Sequence, residues 1–258
     1  MPGTSLVQSL SRGLDILQAV AVSERGLRLG EMAKNLGLKA PTVHNLARTL
    51  VAKGFLDQSA EGSRYVLGHA VGDLAAAQAN REILQRGAVV VRDLFAQLEG
   101  ATITFAEASG AEIVVRLRMS PERPGVLEEP LGRTFQPYSN ASGLVFQAYC
   151  SAEDRAAIRR RYPFTEYGVH LWRTVARLEA FLQTVREQGY AAPRFEGRNL
   201  LPVAAPIMNS AGSFFGTIGA SAPAPAGTDV AAIDQELIRA VVEAAGKISQ
   251  PEAATAGN

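Results

Sequence analysis

The chain has one cysteine, Cys150, and three histidines among its 258 residues. A single thiol excludes an internal disulfide framework. The histidines, His44, His69 and His170, lie far apart, and none has the spacing to another histidine or to the cysteine that a zinc site requires. We therefore expect no metal and no cofactor. Because the neighbours of Cys150 are apolar, we expect it to be a small core residue rather than a nucleophile.

Long apolar runs are also missing. No stretch of about 18 apolar residues occurs, although 47% of the residues are hydrophobic, so the sequence predicts no transmembrane helix. The opening residues, 1–14, lack the apolar core of a secretory signal, and we expect the protein in the cytoplasm. No G-x-S-x-G, phosphate-loop or dinucleotide-binding glycine motif is present, so the sequence does not predict an enzyme.

The net charge of +1 conceals an uneven distribution. Residues 1–68 hold eight Lys and Arg against five Asp and Glu, and the rest of the chain holds 18 against 20. A basic N-terminal segment on a slightly acidic remainder is typical of a DNA-binding domain joined to a domain with another task. Because the basic excess is small, one copy neutralises few phosphates, and we expect firm DNA binding to need two copies.

Residues 26–68 carry the pattern of a winged helix-turn-helix, with two short helices, a glycine turn and a β-hairpin. The first helix covers about residues 31–36, and Gly37 ends it because glycine adopts the left-handed conformation at little cost. Pro41 suits the first turn of the second helix. The apolar residues of that helix follow the spacing of a buried stripe: Val43, Leu46, Ala47, Leu50 and Val51.

The opposite face of the second helix is polar, as a recognition helix requires. Asn pairs with adenine and Arg with guanine in the major groove, which makes Asn45 and Arg48 the candidate base contacts. Residues near the helix N-terminus are suited to phosphates. The full set of predicted DNA contacts is Lys39, Pro41, Thr42, His44, Asn45, Arg48, Thr49 and Arg64. The alternative is that these residues are ordinary solvated surface.

A β-hairpin over residues 55–67 forms the predicted wing. Its turn is assigned to Ala60, Glu61 and Gly62, and apolar residues alternate on the returning strand. Arg64, near the wing tip, is predicted to contact a phosphate or the minor groove. The alternative for Arg64 is an ordinary solvated charge.

The whole chain divides into four predicted segments. They are a DNA-binding domain, a linker helix, a second domain and a disordered tail, over residues 1–68, 69–81, 82–249 and 250–258. A first helix over residues 10–22 is predicted to bury one stripe: Leu10, Leu14, Leu17 and Ala21. The linker helix is predicted to end near Asn80, before a separate helix over residues 82–98.

Strands and helices alternate in the second domain. Two predicted hairpins supply four strands, at 101–109, 111–119, 203–208 and 214–221. Helices are predicted at 139–149, 152–161, 175–188 and 229–248, with a loop at 162–173. The predicted fold class is α+β, in which a winged helix-turn-helix is joined by a linker helix to an α/β sensor domain with a central antiparallel sheet.

Over nearly its full length the chain resembles the IclR family of bacterial transcriptional regulators. The opening LVQSLSRGLDILQAV is similar to that family's first helix, and APTVHNLARTLVAKGF with the following RYVLG is similar to its recognition helix and wing. LGRTFQPYSNASGLVFQAY and GYAAPRFEGRNLLPVAAPIMNSAGSFFGTIGASAP resemble the two signatures of its effector domain. The resemblance implies a GAF-like effector-binding domain, a homodimer and often a homotetramer. It also implies control of a catabolic operon by a small organic acid or aromatic effector.

The resemblance further implies where an effector binds. The family's ligand positions fall on Asn140, Ala141, Pro193, Pro202, Val203, Gly219 and Ser221. The family often has an acidic residue near Pro193, a Cys near Pro202 and a Ser at Gly219, and this chain lacks those polar groups. We therefore predict a weakly polar pocket for an effector with an apolar or aromatic body rather than a small oxoacid. Its remaining walls are predicted at Leu117, Met119, Leu127, Phe135, Ser139 and Leu144.

Two functions remain open from the sequence. The favoured one is a DNA-binding repressor or activator whose effector shifts the population of conformers that match the operator half-sites. The alternative is a constitutive DNA-binding dimer whose sensor domain binds no ligand, because polar family positions are missing. The expected partners are double-stranded operator DNA, a small-molecule effector and further copies of the chain, and no membrane.

Overall fold

The computed structural model describes residues 6–59, 64–195, 197, 199–224 and 230–249. The chain forms two compact units that divide between Ala79 and Asn80. Three expectations lie outside the described residues, namely the wing turn at 60–62, the start of the last helix at 228–229 and the tail at 250–258. Among the residues described, no helix is both long enough and apolar enough to span a membrane.

The N-terminal unit contains helices and a two-stranded sheet. Its elements are α1 (Gln8–Ala21), α2 (Leu29–Asn35), α3 (Ala40–Ala52), β1 (Leu56–Gln58) and β2 (Tyr65–Leu67). The three helices share one core, in which Ile16, Met32 and Val43 are fully buried. Gly37 has a φ of 62°, which confirms the predicted left-handed end of the helix before the turn.

The predicted buried stripe of α1 is wrong. Leu10 and Leu14 are 62% and 52% exposed, Ala21 is exposed as well, and only Leu17 of the predicted set packs on the core. The buried residues of α1 are Gly13, Ile16 and Val20. α1 carries two overlapping apolar stripes with the same helical period, so periodicity alone does not decide which of them faces the core.

Antiparallel pairing of β1 with β2 confirms the predicted wing hairpin. Leu56 lies opposite Leu67 and Gln58 opposite Tyr65. The Tyr65 backbone also exchanges hydrogen bonds with Leu27, which adds a short bridge on the other side of β2. Leu56 and Tyr65 are buried whereas Leu67 is 39% exposed, so the wing packs on the helices through one side chain from each strand.

One continuous helix, α4 (His69–Gln97), follows the wing. The prediction of two helices, one ending near Asn80 and the next starting at Glu82, is therefore wrong. The change in composition that suggested a break is not a helix breaker. Residues 73–86 contain neither proline nor glycine and are rich in Ala, Gln, Leu and Arg, all of which favour a helix.

The second unit contains a four-stranded antiparallel sheet with the order β4-β3-β6-β5. Its remaining elements are β3 (Thr102–Ser109), β4 (Glu112–Met119), α5 (Ala141–Tyr149), α6 (Ala152–Arg161), α7 (Phe164–Tyr167), α8 (Val169–Trp172), α9 (Val175–Gln188), β5 (Leu200–Met208), β6 (Phe214–Pro223) and α10 (Val230–Ser249). The predicted α+β class with a central antiparallel sheet is confirmed.

Helices cover both faces of this sheet. On β5, Val203, Ala205 and Ile207 belong to a core shared with α4 and α10. Ala204, between them, belongs to a second core formed by α5 and α9. This alternation follows from the two-residue period of a strand, and it places α5 on the sheet face opposite α4 and α10.

The connections around α5 to α9 differ from the sequence expectation in two places. α5 begins at Ala141 rather than at Ser139, because Asn140 is its N-cap and accepts a hydrogen bond from the Ser142 backbone. The stretch predicted as a loop, 162–173, contains the helical turns α7 and α8. The predicted Thr174 cap of α9 and its end at Gly189 are confirmed.

Candidate DNA-binding surface and effector cavity

The recognition-helix candidate, α3, presents a continuous polar surface to solvent. Lys39 at its N-cap is exposed, as are the residues that follow it on the outer face: Pro41, His44, Asn45, Arg48 and Thr49. Thr42 is half-buried. The opposite face is anchored by Val43 and Ala47, both fully buried. The core therefore fixes the orientation of the predicted DNA contacts, and α3 projects them as one group.

Within this surface, Asn45 and Arg48 are the side chains with the chemistry of base recognition. Thr49 Oγ1 donates a hydrogen bond of 3.0 Å to the Asn45 carbonyl, four residues back on the same helix. That bond occupies the Thr49 hydroxyl proton and makes Thr49 a weaker candidate for a base contact. The amide of Asn45 and the guanidinium of Arg48 have the donor patterns that match adenine and guanine edges.

Arg64 is predicted near the wing tip, but its side chain is bonded to Gly26 and to Glu31, at the start of α2. Its Nη1 donates to the Gly26 carbonyl at 2.7 Å and to Glu31 Oε2 at 3.2 Å. Glu31 also accepts a hydrogen bond from the Arg28 backbone, which is the main reason why the pKa of its carboxyl lies below the usual value. Arg64 thus ties the wing to the start of α2, and a DNA contact from this side chain stays a prediction.

A cavity of about 200 Å³ lies between the sheet and the N-terminus of α5. Its lining is formed by Thr102, Thr104, Arg118, Arg133, Phe135, Asn140, Ala141, Ser142, Pro202, Val203, Gly219, Ala220 and Ser221. Strand register explains the grouping, because Thr104 pairs with Arg118 on one side and with Gly219 on the other. These three neighbours present one row toward α5.

The structure brings together seven of the predicted effector residues around this cavity. They are Phe135, Asn140, Ala141, Pro202, Val203, Gly219 and Ser221. At Gly219 an added Cβ would lie 3.0 Å from the Val203 carbonyl oxygen and 3.4 Å from Ser142 Oγ, so the glycine permits a close approach of α5.

The remaining predicted walls do not line the cavity. Leu117, Met119 and Leu127 pack in the core shared with α4 and α10, and Leu144 packs in the core with α9. Pro193 and Ser139 lie outside the lining too. On β4 the predicted residues lie on the wrong face of the strand. Residues 117 and 119 face the core, whereas Arg118, between them, faces the cavity.

The lining is consequently more polar than predicted from the sequence. The lining residues that were not predicted are Thr102, Thr104, Arg118, Arg133, Ser142 and Ala220. The alternation of threonine with apolar residues in TITF, and of arginine with apolar residues in VRLRM, was the available signal. Such alternation indicates a strand with one polar face, but it does not reveal what that face meets.

Arg118 is the most strongly held charge at the cavity. Its side chain is 11% exposed, and its two Nη atoms donate to Glu128 at 2.8 Å and to Glu122 at 2.9 Å. Glu128 also pairs with Arg123 at 3.2 Å. The hydrogen bonds from Arg118 are the leading cause that lowers the pKa of both Glu122 and Glu128. The ion pairs tie the loop after β4 to the strand.

The lowered pKa of Glu128 predicts how the cavity rim responds to acid. Its folded pKa lies below the unfolded value, so the carboxylate stabilises the fold above the unfolded pKa, and that contribution disappears as the pH falls through the folded pKa. We expect Glu128→Gln to lower the melting temperature at neutral pH and to flatten its decline between about pH 5 and pH 3. Glu129→Gln is the control, since Glu129 has no ion pair within the described chain. Equal pH profiles for the wild type and Glu128→Gln would contradict the prediction.

Arg194 holds the segment that contains Pro193 against β5. Its Nη1 donates to the Pro193 carbonyl at 2.9 Å and to the Pro202 carbonyl at 3.1 Å, and its other amino group pairs with Asp234 on α10. Pro193 is buried by this arrangement. The family position near Pro193 is therefore linked to Pro202 in the cavity wall by hydrogen bonds that the Arg194 side chain donates to both carbonyls.

No group of three His, Cys, Asp or Glu side chains in the described part of the chain is arranged to hold a metal ion. Cys150 is buried, as predicted, and burial raises the pKa of its thiol, which leaves little of the reactive thiolate near neutral pH.

A winged helix-turn-helix with a solvent-exposed recognition helix, joined in one chain to a second domain, is the architecture of a DNA-binding transcriptional regulator. Models of known families identify which kind. The model of the IclR helix-turn-helix domain matches residues 9–60, and that of the bacterial transcriptional regulator IclR C-terminal region matches residues 75–250. The chain belongs to the IclR family, which confirms the resemblance seen in its motifs. Members of this family bind DNA and small-molecule effectors.

Characterised relatives extend over most of the chain. The glycerol operon regulatory protein of Streptomyces coelicolor is 29% identical over 251 residues, which covers 95% of this chain and 96% of the relative. The transcriptional repressor IclR of Escherichia coli is 27% identical over 193 residues, covering 74% and 70%. These relatives are transcriptional regulators, and this chain is a DNA-binding transcriptional regulator of the same family.

Solved structures share the fold over the whole length. An IclR-family regulator from Rhodococcus sp. has a TM-score of 0.59 at 21% identity and covers 96% of this chain and 95% of its own. The Thermotoga maritima IclR structure has a TM-score of 0.51 at 19% identity, covering 95% and 98%. At these identities the likeness establishes the fold alone.

Proposed function

We propose that this protein regulates a catabolic operon and that a small organic or aromatic acid controls it by binding the cavity at the N-terminus of α5. The observation that carries the proposal is the cavity itself, which joins six motif-derived ligand positions and the predicted wall residue Phe135 in a chain of this family. In this proposal the protein acts on operator DNA in the cytoplasm and has no catalytic role. The DNA contacts are the exposed residues of α3, with Asn45 and Arg48 as the base readers.

The proposed roles of the segments follow the predicted domain boundaries. Residues 1–68 bind DNA, residues 69–81 connect, and residues 82–249 bind the effector. Control works by population shift, in which the effector favours conformers that differ in their affinity for two half-sites about 34–36 Å apart. A ligand that bound both conformers equally would leave the operator affinity unchanged.

A dimer is part of the proposal, and α1 supplies the observation that favours it. Leu10 and Leu14, one turn apart on α1, are exposed, and so are Leu6 and Val7 just before the helix. Together they form an apolar stripe that no described residue buries. We propose a second copy as its occupant, because a monomer of such low charge neutralises few phosphates.

Disrupting this stripe tests the dimer. We expect the double variant Leu10→Asp, Leu14→Asp to become monomeric in sedimentation analysis, and to bind a two-half-site operator about 10²–10⁴-fold more weakly because bivalency is lost. Leu131→Asp is the matched control, since Leu131 is 100% exposed in the second unit. A double variant that stays dimeric at micromolar concentration would refute the assignment of this stripe.

The ligand-blind alternative rests on Pro193, Pro202 and Gly219, where polar groups common in the family are missing. Scanning fluorimetry against aromatic acids and short oxoacids, followed by gel shifts on DNA flanking the protein's own gene, separates the two functions. A ligand of the native state must raise the melting temperature. A stabilising ligand that also alters the gel shift supports effector control, whereas DNA binding with no stabilising ligand supports the constitutive dimer.

A further inference from the structure

The proposed effector cavity has two arginines and no carboxylate among the described residues of its lining. Arg118 and Arg133 both line it, and no Asp or Glu is found among the described residues that do. Other clefts of the same unit differ in this respect. One is lined by Asp154, and another combines two arginines with two glutamates. A lining whose charged side chains are all positive favours an anionic occupant.

One donor of Arg118 is buried and has no acceptor among the described residues. Both Nη atoms are used by Glu122 and Glu128, but Nε has no hydrogen-bond partner in the part of the chain that the structure describes. A buried donor left unpaired costs free energy. Because Arg118 lines the cavity, a ligand oxygen that reached Nε would remove that cost while both Nη atoms keep their glutamates.

The N-terminus of α5 adds a second, independent preference for negative charge. Ala141 and Ser142 of its first turn line the cavity. The Asn140 side chain caps only the Ser142 N–H, at 2.9 Å. The first-turn N–H groups of a helix have no intrahelical acceptor, and the helix dipole places partial positive charge at this end.

We propose that Arg118, through Nε, and Arg133 bind the acid group of the effector, with the first turn of α5 completing the site. Both residues lie outside the ligand positions inferred from the family motifs. The proposal deepens the proposed function and rests on it, because it assigns the chemistry by which that same cavity selects its ligand.

Charge and volume restrict the ligand further. Arg118 is already balanced by its two glutamates, one of which also pairs with Arg123, whereas Arg133 forms no ion pair with any described residue. One net positive charge therefore remains, and it suits a monocarboxylate better than a dicarboxylate. A cavity of 200 Å³ equals about seven water volumes of roughly 30 Å³ each, which limits the ligand to a small metabolite.

The experiment compares acids with their own amides. The full-length protein is titrated by calorimetry with small monocarboxylates, the corresponding primary amides and dicarboxylates of similar size, including benzoate against benzamide. We expect at least one monocarboxylate to bind, its amide to bind at least about tenfold more weakly, and no dicarboxylate to bind more tightly. Arg133→Gln and Arg118→Gln should each weaken the acid at least about tenfold.

Two variants keep the test decisive. Arg133→Gln removes an exposed guanidinium and tests the proposal even if Arg118→Gln, which unpairs two glutamates, fails to fold. Arg123→Gln is the control, because Arg123 also pairs with Glu128 but does not line the cavity. It should bind the acid as the wild type does.

Failure of this inference and failure of the proposed function look different. Equal binding of the acid and its amide, or wild-type affinity for the acid in Arg133→Gln, overturns the inference. The proposed function still stands in that case if a ligand alters the gel shift. Binding of no acid at millimolar concentration overturns the inference and favours the ligand-blind dimer. Loss of all specific DNA binding by the unliganded and liganded protein would instead overturn the proposed function.

Discussion

Replacing Arg48 by alanine is expected to weaken operator recognition at least about 30-fold while leaving the fold unchanged. Arg48 is exposed on the outer face of α3, so truncation opens no cavity. A bidentate arginine-guanine pair contributes about 1–3 kcal/mol of discrimination. A dimer loses two such pairs, about 2–6 kcal/mol, which corresponds to a roughly 30-fold to 10⁴-fold weaker specific complex. Gel shifts or fluorescence anisotropy on the operator measure the effect.

Two control variants distinguish the loss of a base contact from the loss of a positive charge. Arg92→Ala removes the same charge from an exposed site on α4, outside the DNA-binding domain, and should leave operator affinity within about twofold. Lys39→Ala, at the N-cap of α3, should weaken specific and nonspecific DNA about equally and reduce the salt slope by about one. If Arg48→Ala behaves like Lys39→Ala, Arg48 contacts phosphate and the base assignment is wrong.

Phe105→Ala is expected to be the most destabilising single change in the effector domain. Phe105 is fully buried on β3, and its ring centroid lies 6.2 Å from that of Phe215. On α4, a Cβ added to Gly87 would come within 2.8 Å of the Phe105 ring, so the ring packs directly on the helix backbone. Truncating a buried phenylalanine costs about 3–5 kcal/mol. Urea unfolding followed by fluorescence of the single tryptophan, Trp172, measures the loss in this domain.

The contact between Gly87 on α4 and Phe105 on β3 predicts that the effect of a substitution at Gly87 depends on the residue at position 105. Gly87→Ala should destabilise the wild type by about 1–3 kcal/mol, because the added methyl overpacks the ring. In the Phe105→Ala background the same change should be neutral or stabilising, because space is available and alanine favours a helix by about 1 kcal/mol over glycine. Additive effects of the two changes would contradict direct packing. Leu131→Ala, at a fully exposed site, should stay within about 0.5 kcal/mol of the wild type.

Features written in local sequence were predictable. Gly37, Thr174 and Gly189 mark helix ends because the cap or the left-handed conformation is a property of a few neighbouring residues. The recognition helix was equally clear, since a single apolar stripe on α3 leaves one face free. The hairpins followed from alternation on either side of a turn.

Errors arose wherever two patterns of the same period competed. On α1, two apolar stripes have equal periodicity, and only packing against α2 and α3 showed that Ile16, rather than Leu14, faces the core. On β4 the same ambiguity led to the prediction that Leu117 and Met119 line the cavity, whereas Arg118 lines it. A shift of one residue on a strand moves a side chain to the other face, and nothing within the strand specifies which face is covered.

The amino-acid sequence by itself determined the winged helix-turn-helix, the α+β class and the family, because these depend on short-range spacing and on motifs in a fixed order. The tertiary structure decided that Arg118 and Arg133 reach the cavity and that Arg64 supports α2. Those placements depend on strand register and on contacts between residues far apart in the chain. The burial and the charge pairing of these side chains depend on which residues surround them in the fold, and many of those residues come from distant parts of the chain.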